Sequence, residues 1–560
     1  MHRGVQPDEL RELRLPDTMS GHCRGSARLR AWIMLVGLTG GACDATTRLT
    51  GDLDGAEPDA AADQDGAPDD GAADDTTGED SEPEDVAAPC PVWVATVPHG
   101  PRQDGSREDP QVGLQEALDA RGACGNLRLV ADPDSVPFAL AVDIELRDGE
   151  HLVLEGDPGS DRRPVLAGAG EDSGIRAWGA GTLVLRRLVA RGGNAGRGGC
   201  LDADVSALEL SGTEWSACSA AGSGGAVFVL ASSASVEDSS FFDNVAGERG
   251  GAVALDNWTA DTRIVVAGSV FLGNRADEGG AISVLVPTLD CAITGSRFAD
   301  NSAAWGGAAI GGHLGGQIVG NRFDGNRAGS GGGAVSGQGS RGESEIAHNV
   351  FADNVLTVGG PDPDGRPPTV GAAIALVPAY TTIRNNILVR NTADWPDGGA
   401  AAGGSGGIWI WSGSSRIWNN TFVDNAIPTV VVGGETAAHL FADAADVDVR
   451  GNVFMRGEGG VAARVALPPA GAHVVAYNDD WAFDGAVFPE GVVLGPGMLR
   501  ADPGFLDAAV DDYRLGAGSP CRDAGDPDPV HSDPDGTRGD IGAFGGPAGE
   551  WVPLEPGEAP

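Results

Sequence analysis

The 560-residue chain contains no lysine, so all 37 of its basic residues are arginine. A phosphate-binding loop of the GxxxxGK[ST] type and Schiff-base chemistry both need a lysine and are therefore excluded. Tyrosine is scarce, with 3 residues, and the chain has no CxxC pair, which argues against a zinc site. The chain also has 81 acidic residues, which give it a formal net charge of −44. This charge disfavours nucleic acid and anionic membrane surfaces as partners.

Long helices are disfavoured because 89 glycines interrupt the chain, and each costs about 1 kcal/mol in a helix interior. Segments between Gly224 and Asn354 repeat one frame: Ser or Asn, then Phe-x-x-Asn, then paired glycines and small apolar residues. The frame phenylalanines are spaced by 25 to 30 residues and are Phe241, Phe271, Phe298, Phe323 and Phe351. This period indicates a solenoid. Short blocks rich in β-branched residues, such as 264–266, predict strands joined by glycine corners.

A polar residue stands two positions before each frame phenylalanine, and the column continues beyond the regular array. Its members are Ser239, Ser269, Ser296, Asn321, Asn349, Asn386, Asn420 and Asn452. In a stacked solenoid, equivalent side chains lie about 4.8 Å apart and can hydrogen-bond to one another. We therefore expect a structural ladder of these residues beside an inward stack of the phenylalanines.

These repeats resemble a right-handed parallel β-helix of the type seen in pectate-lyase-like proteins. The GGA[IV] and FxxN words also resemble the repeats of chlamydial polymorphic outer-membrane proteins. The resemblance implies an all-β fold, a single right-handed solenoid over residues 90–500. The segment Leu114–Ala120 has a helical pattern, and we expect it to form the short N-terminal cap that repeat arrays need.

Residues 1–43 are predicted to be a signal peptide, with Met19 as an alternative start. Three arginines precede the short apolar run 31–38, and small residues follow it up to Cys43. The ending Gly-Gly-Ala-Cys resembles a bacterial lipoprotein box, although Leu38 lies two positions further upstream of the cysteine than usual. We expect lipidation of Cys43, with ordinary secretion and cleavage nearby as the alternative.

Residues 44–89 are predicted to be a disordered acidic linker. They contain 16 Asp or Glu, one Arg and no aromatic residue, so they have too little apolar surface to offset the entropy of ordering. A flexible, self-repelling tether between a lipid anchor and a rigid domain is the expected role.

The segment 501–546 carries a second resemblance, to the closing module of many secreted bacterial β-helix proteins. Its five words appear in order, as DPGF at 502–505, DYRL at 512–515, SPCRDAG at 519–525, DPDGTR at 533–538 and DIGAF at 540–544. Cys521 stands where the family usually has an apolar residue, which suggests a local disulfide. Residues 547–560 are expected to be a Pro-rich tail.

Six cysteines remain after the leader and Cys43 are set aside, an even number that fits an oxidising compartment. Cys200 and Cys218 lie nearly one coil apart and could bridge stacked turns. Cys90 and Cys124 could fasten the cap.

The sequence offers only weak candidates for catalytic residues. One aspartate recurs in most coils near the FxxN word, at Asp243, Asp300, Asp324, Asp353 and Asp424; its repetition with the fold favours a structural corner residue. Asp479 and Asp480 form a separate pair, for which a turn is the simpler interpretation. Glycosidases need two suitably spaced carboxylates, and neither the polygalacturonase words NTD, GHG and RIK nor a lyase signature is present.

Two kinds of binding residue remain as hypotheses. Asp523, Asp526, Asp533 and Asp535, with the neighbouring Asp528 and Asp540, are dense enough to hold calcium, but their spacing does not fit an EF-hand. The indoles of Trp305, Trp395, Trp409, Trp411 and Trp418 could stack on sugars, with Trp409 and Trp411, two apart on one strand face, as the most suggestive pair. Core packing explains them equally well.

The favoured function is adhesion or binding of a polysaccharide or a cell-surface partner by a monomeric, exported lipoprotein of the outer membrane or cell surface. A periplasmic or secreted location is the alternative. The membrane is contacted only through the N-terminal lipid. No cofactor is assigned, and calcium is the one candidate ion. A polysaccharide lyase or glycoside hydrolase is the second hypothesis and rests on the fold alone.

Overall fold

The computed structural model describes residues 90–99, 102–256, 262–285, 290–338, 343–357, 370–377, 380–394, 404–427, 436–437, 439–442, 445–455, 465–467, 472–482, 487–488 and 490–556. The expected signal peptide, with Cys43, and the expected linker 44–89 lie outside these residues. Within them, no helix is long and apolar enough to span a membrane.

Three sheets of parallel strands, here called sheets I, II and III, make up most of the described structure. Sheet I has 25 strands: Val92–Ala95, Gln111–Val112, Asn126–Leu129, Val142–Leu146, His151–Gly156, Ile175–Arg186, Leu201–Ser211, Val227–Leu230, Ser233–Glu237, Val253–Asp256, Arg263–Ala267, Ile282–Val284, Cys291–Thr294, Ile310–Gly312, Gly316–Val319, Val335–Gln338, Ser344–Ala347, Ile374–Val377, Thr381–Arg384, Ile408–Ile410, Gly413–Trp418, Leu440–Ala442, Ala445–Arg450, Val465–Ala466 and Val474–Ala476.

The other sheets have shorter strands. Sheet II has 13: Phe138–Ala139, Val165–Ala167, Val189–Arg191, Glu214–Ser216, Ser240–Phe242, Val270–Leu272, Arg297–Ala299, Arg322–Asp324, Val350–Ala352, Ile387–Val389, Thr421–Val423, Val453–Met455 and Asp479–Trp481. Sheet III has 8: Asn194–Ala195, Ser219–Ala220, Val245–Ala246, Arg275–Glu278, Ser302–Trp305, Arg327–Ala328, Val355–Thr357 and Thr392–Asp394. Four two-residue strands pair separately, Gly331–Gly332, Val370–Gly371, Gly404–Ser405 and Thr436–Ala437.

Each regular coil contributes two strands to sheet I and one each to sheets II and III. In one coil these are Val227–Leu230, Ser233–Glu237, Ser240–Phe242 and Val245–Ala246, and each pairs in parallel with the equivalent strand of the next coil. The predicted parallel β-solenoid is confirmed.

The helix Leu114–Ala120 begins and ends where the sequence predicted. Leu114, Ala117 and Leu118 are buried in the same hydrophobic core as the first strands. The helix therefore supplies apolar side chains to the first coils of the solenoid.

The frame phenylalanines stack in the interior, fully buried and in register. Successive ring centroids of Phe241, Phe271 and Phe298 are separated by 4.8 Å, and the rings are nearly parallel. Trp215 precedes them, with its ring centroid 6.3 Å from that of Phe241. Leu388 takes the place of one ring before the stack resumes. One aromatic column thus fills the core beside sheet II.

All eight expected ladder residues lie in one continuous buried ladder. Asn349 donates from Nδ2 to Oδ1 of Asn386, and Asn386 donates likewise to Asn420, both at 3.0 Å. In the serine coils, the hydroxyl oxygen of one coil accepts the backbone N–H of the previous coil. Thr213 and Asn478 extend the ladder by one coil at each end.

A second ladder, which the sequence analysis did not predict, is formed by the asparagine of each FxxN word. Its members are Asn244, Asn274, Asn301, Asn326, Asn354, Asn391 and Asn425, joined through Nδ2 and Oδ1 at 2.8–3.0 Å. The last amide donates to Nδ1 of the buried His439, at 3.3 Å. Each strand of sheet II in the regular array is therefore bracketed by two buried polar columns.

The corners beside these ladders explain the recurring aspartates. Asp243, Asp300, Asp353 and Asp424 each precede a second-ladder asparagine and have φ of 51–56°, a left-handed conformation that short polar side chains and glycine tolerate. Asp324 differs, because Gly325 takes the corner with φ of 60° and Asp324 pairs with Arg322 at 2.9 Å.

The closing module packs along the outside of sheet II. Tyr513 and Ala543 lie against the outward side chains of Val350, Ile387 and Val423. It contains the antiparallel strands Phe505–Asp507 and Asp512–Leu515 and the short 3-10 helices Ala508–Val510 and Pro529–His531. Residues expected in a free tail also contact the solenoid: the Trp551 ring lies 5.4 Å from that of His348, and the carbonyl of Leu554 accepts from Arg322.

Candidate functional site

The candidate site begins with the outer face of the second row of sheet I strands. Ile346, Ile383 and Ile417 point inward and are buried. Alternation in a strand sends their neighbours to the opposite face, so Glu345, Thr382 and Arg384 lie on the outer face. Trp418 continues this row, in register with Arg384. A polar, charged and aromatic surface therefore covers an apolar core.

The closing module stands opposite this surface and forms a second wall. His348 Nε2 lies 2.9 Å from the carbonyl oxygen of Ala548. Asn385 donates to the carbonyls of Ala543 and Gly545, at 3.0 and 2.8 Å. Asn419 donates to Asp540 in the same way, at 2.9 Å. These contacts hold Val530, His531, Pro547 and Ala548 beside sheet I.

The two walls enclose an open cleft of about 850 Å³. Its sheet I side includes Gln317, Glu345, Thr382, Arg384 and Trp418, and Asp290 and Glu343 lie at its edge. A volume of this size is in the range of ligand sites, which are typically about 300–1,000 Å³.

Trp418 is the main aromatic side chain of the cleft. Its ring meets His531 edge-on, with 5.1 Å between centroids. The Arg416 guanidinium lies 5.6 Å from the ring centroid. The indole Nε1 is buried without a hydrogen-bond partner in the part of the chain that the structure describes. The indole thus contributes an aromatic ring to the lining of the cleft, while its N–H group is buried away from it.

The charges of the cleft are partly neutralised by one ion pair. Arg384 donates from Nε to Oε1 of Glu345 at 2.7 Å, and the same carboxylate oxygen lies 2.6 Å from Nη2. Glu343 is exposed and has no ion pair or hydrogen bond through its side chain among the described residues. The free carboxylate therefore stands at the edge of the cleft.

A second, smaller cavity of about 200 Å³ lies next to the cleft and shares Glu343 with it. Tyr380, which is 65% exposed, and Ser414, Arg416 and Asp448 contribute to its lining. The two cavities form one polar groove along sheet I, called the sheet I groove below.

The aspartate pair predicted as a weak catalytic candidate lies elsewhere. Asp479 and Asp480 begin the last strand of sheet II, so the simpler expectation of a turn was wrong. Asp479 is buried, accepts from the backbone N–H of Ala501 at 3.0 Å and from the Cys521 thiol at 3.3 Å, and burial raises its pKa. Burial also raises the pKa of Asp480, to about 6. Neither residue lines the sheet I groove.

Cys521 does not form the expected local disulfide. The structure has free, buried thiols at Cys521 and Cys291, and no third unpaired cysteine lies within the described ranges. Position 521 is instead filled by a buried thiol beside Asp479 and Ile541. The structure contains the bridges Cys90–Cys124 and Cys200–Cys218.

The tryptophan pair also differs from its expected arrangement. Trp409 lies on the strand Ile408–Ile410 and is 4% exposed, packed with Ala375 and Phe441. Trp411 lies just after that strand and is 41% exposed. Their ring centroids are 6.4 Å apart, so only Trp411 presents a ring to solvent. Trp395 lies outside the described residues.

The aspartates expected to hold calcium are engaged in turns of the closing module. Asp533 accepts from the backbone N–H groups of Asp540 and Gly546, and Asp535 accepts from Thr537. Asp526 pairs with Arg450 at 2.6 Å, and Asp523 donates its N–H to Asp540. Among the described residues, no group of three potential ligands is arranged to hold a metal ion. Calcium binding stays a prediction from the sequence.

Sequence reasoning did not find the cleft; it named Trp418 only as one of five tryptophans and favoured Trp409 and Trp411. The residues of the cleft come from separate coils and from the closing module. The available signal lies in two outward columns of residues. Ala292 is followed in register by Gln317 and Glu345, and Ala347 is followed by Arg384 and Trp418.

Comparison with known proteins gives a likeness to a solved structure and no match of sequence. No family model matches the chain. No curated protein matches it either. Among solved structures, it is similar to the crystal structure of pectate lyase Pel9A, at 13% sequence identity and a TM-score of 0.34, over 81% of this chain and 95% of that one.

Proposed function

We propose that this protein is an exported β-solenoid that binds a glycan in the sheet I groove. The observation that carries the proposal is the cleft between sheet I and the closing module, with Trp418 on its floor. Sugars present apolar ring faces and hydroxyl groups. An indole ring, next to amide, hydroxyl and charged groups, suits both surfaces.

The export part of the proposal is supported by the disulfides Cys90–Cys124 and Cys200–Cys218. Such bonds persist in oxidising compartments and are rare in the cytosol. Together with the leader-like sequence before Cys43, they support a lipid-anchored protein at the outer membrane or cell surface, acting in adhesion. Replacement of Cys43 by serine is expected to abolish incorporation of a labelled fatty acid and to release the protein from the membrane fraction. Unchanged labelling would contradict the anchor.

Cleavage of the bound glycan, as by a lyase or hydrolase, is the alternative. Glycoside hydrolysis uses a pair of carboxylates on either side of the bond. In the cleft, the Glu345 carboxylate is paired with Arg384. Asp479 lies outside the cleft and accepts a hydrogen bond from Cys521 of the closing module. No geometric feature favours this second function over binding, so it becomes an outcome of the same test.

The test is a binding screen of the full chain on neutral, acidic and amine-bearing polysaccharides, with and without calcium. Retention and new reducing or unsaturated ends are measured together. Retention without cleavage is expected. Cleavage of a glycan would show that the protein is an enzyme and would contradict a role in binding alone. Failure to retain any glycan would contradict the proposal.

Two tryptophan variants locate the site. We expect Trp418→Ala to lower affinity about tenfold, since loss of a stacked aromatic ring typically costs about 1–2 kcal/mol. Trp305→Ala is the matched control, because Trp305 is 44% exposed on sheet III, outside the groove. Trp418→Phe keeps an aromatic ring and should retain most of the affinity. It therefore distinguishes the loss of a ring contact from a folding defect. Equal losses in the alanine variants would rule out the cleft as the site.

A further inference from the structure

We propose that the sheet I groove selects glycans that carry free, protonated amino groups over neutral glycans and over polyuronates. This inference rests on the proposed function and adds the chemical class of the ligand. It is based on the balance of charges in the groove, on the existing interactions of its arginines and on the position of one free carboxylate.

The lining of the groove contains more carboxylates than guanidinium groups. The carboxylates are Asp290, Glu343, Glu345, Asp446 and Asp448, and the guanidinium groups are Arg384 and Arg416. The chain as a whole is also strongly acidic, at −44. A cleft lined mainly by one sign of charge concentrates ligands of the opposite sign, so the field in the groove favours cations.

The arginines of the groove already have partners. Arg384 is held by the Glu345 carboxylate, and Arg416 lies over the Trp418 ring. The next arginine on this face, Arg450, is held by both Asp448 and Asp526. A uronate would therefore have to displace an existing ion pair, and its carboxylates would face the other acidic side chains.

Glu343 is the group best placed to bind an amine. It is exposed, lies at the border shared by the two cavities, and its carboxylate has no partner among the described residues. A glycan that crosses from Trp418 to Tyr380 passes this carboxylate. An ammonium group on a sugar ring there would donate hydrogen bonds to it.

A basic peptide would satisfy the same charges, but the other groups of the groove favour a sugar. Hydroxyl groups of Ser344, Thr382 and Ser414 line it, and its two accessible aromatic rings, Trp418 and Tyr380, suit pyranose faces. A peptide is therefore an outcome that the test must distinguish.

The experiment is calorimetric titration of the full chain with oligomers of equal length that differ in charge. The probes are glucosamine, N-acetylglucosamine and galacturonate oligomers, with an oligolysine of matched charge, in a mildly acidic buffer that protonates the amines. We expect the glucosamine oligomer to bind about tenfold more tightly than its N-acetylated counterpart, and the preference to shrink as salt screens the charges. The galacturonate oligomer should bind most weakly.

Two variants test the role of Glu343. Glu343→Gln should weaken glucosamine binding about threefold more than it weakens N-acetylglucosamine binding, as expected for one exposed ion pair. Glu248→Gln is the control, since Glu248 is exposed and lies outside both cavities. An equal loss in both variants would overturn the assignment of Glu343.

The outcomes separate this inference from the proposed function. Equal affinity for the charged and N-acetylated oligomers, or preference for galacturonate, would overturn the charge selection and leave glycan binding intact. Oligolysine binding as tight as glucosamine binding would overturn the inference in favour of a basic peptide. Binding of none of the glycans would contradict the proposed function itself.

Discussion

Arg390 forms a two-pronged ion pair with Asp511, from Nη1 and Nη2 to the two carboxylate oxygens at 2.7 and 2.9 Å. The two residues are 121 positions apart and join a coil of the solenoid to the closing module. Arg390 occupies a corner with φ of 53°, where the four preceding coils have aspartate or glycine. It also pairs with the corner residue Asp353 of the preceding coil, so this corner attaches the closing module to the solenoid.

Replacement of Asp511 by asparagine should loosen the closing module. The loss of a charge-assisted, partly exposed bidentate pair is expected to lower the free energy of unfolding by roughly 1–2 kcal/mol. Urea-induced unfolding measures the effect. Asp512→Asn is the control, because Asp512 pairs with its near neighbour Arg514 within the module. A loss no larger than that of the control would mean that the pair does not fasten the module.

Removal of one ladder amide should destabilise the solenoid strongly. Asn386 accepts from the backbone N–H and side chain of Asn349 and donates to the carbonyl of Ile346. Asn386→Ala leaves these buried groups unpaired, at an expected cost of about 3 kcal/mol. Asn386→Ser should cost less, since serine fills the same ladder position in earlier coils. The exposed Asn194 provides a control, and unfolding in urea compares the three variants.

His439 should make stability depend on pH. Burial lowers its pKa to about 3, below the unfolded value of about 6.5. The folded protein keeps the ring neutral, so stability is lost as pH falls below 6.5, by up to about 1.4 kcal/mol per pH unit. His439→Asn, which can still accept from Asn425, should remove this dependence, whereas the exposed His151→Asn should not. The midpoints of urea-induced unfolding, measured for wild type and both variants between pH 3 and 7, test this prediction.

Asp533 should make the stability depend on pH in the opposite direction. Burial, and then the charge of Asp540, raise its pKa to about 6, above the unfolded value of about 3.9. Its stabilising contribution is complete below about pH 4 and is lost as pH rises through 6. Asp533→Asn should therefore raise the stability at neutral pH by about 1–2 kcal/mol relative to wild type. The exposed Asp528→Asn serves as the control, and a loss of stability in Asp533→Asn would contradict the sign.

The regular repeats allowed the solenoid to be predicted from sequence, because one residue pattern per coil reflects one stacked position in space. The positions of Phe241 and Asn321 followed from their spacing alone. The second ladder was equally regular in sequence, at Asn244 and its equivalents. It was missed because the asparagine of each FxxN word was treated as part of a motif and not as a separate buried column.

The cleft could not be predicted in the same way. Trp418, Arg384 and His531 come together only because the closing module runs back along sheet II to the coils of 348–419. In the sequence, that contact is indicated by outward apolar residues next to inward ones, such as Val350 before Phe351 and Ile387 before Leu388. The free thiol of Cys521 likewise depends on its burial beside Asp479, which no local pattern reports.

The central claim, that the sheet I groove is the glycan-binding site, is tested most directly by hydroxyl-radical footprinting of the full chain with and without glucosamine and N-acetylglucosamine oligomers. We predict that either bound oligomer lowers the oxidation of Trp418, His531 and Tyr380 and leaves that of Trp305 unchanged. Protection of Trp305 alone, or unchanged oxidation of the three groove residues under saturating ligand, would contradict the claim.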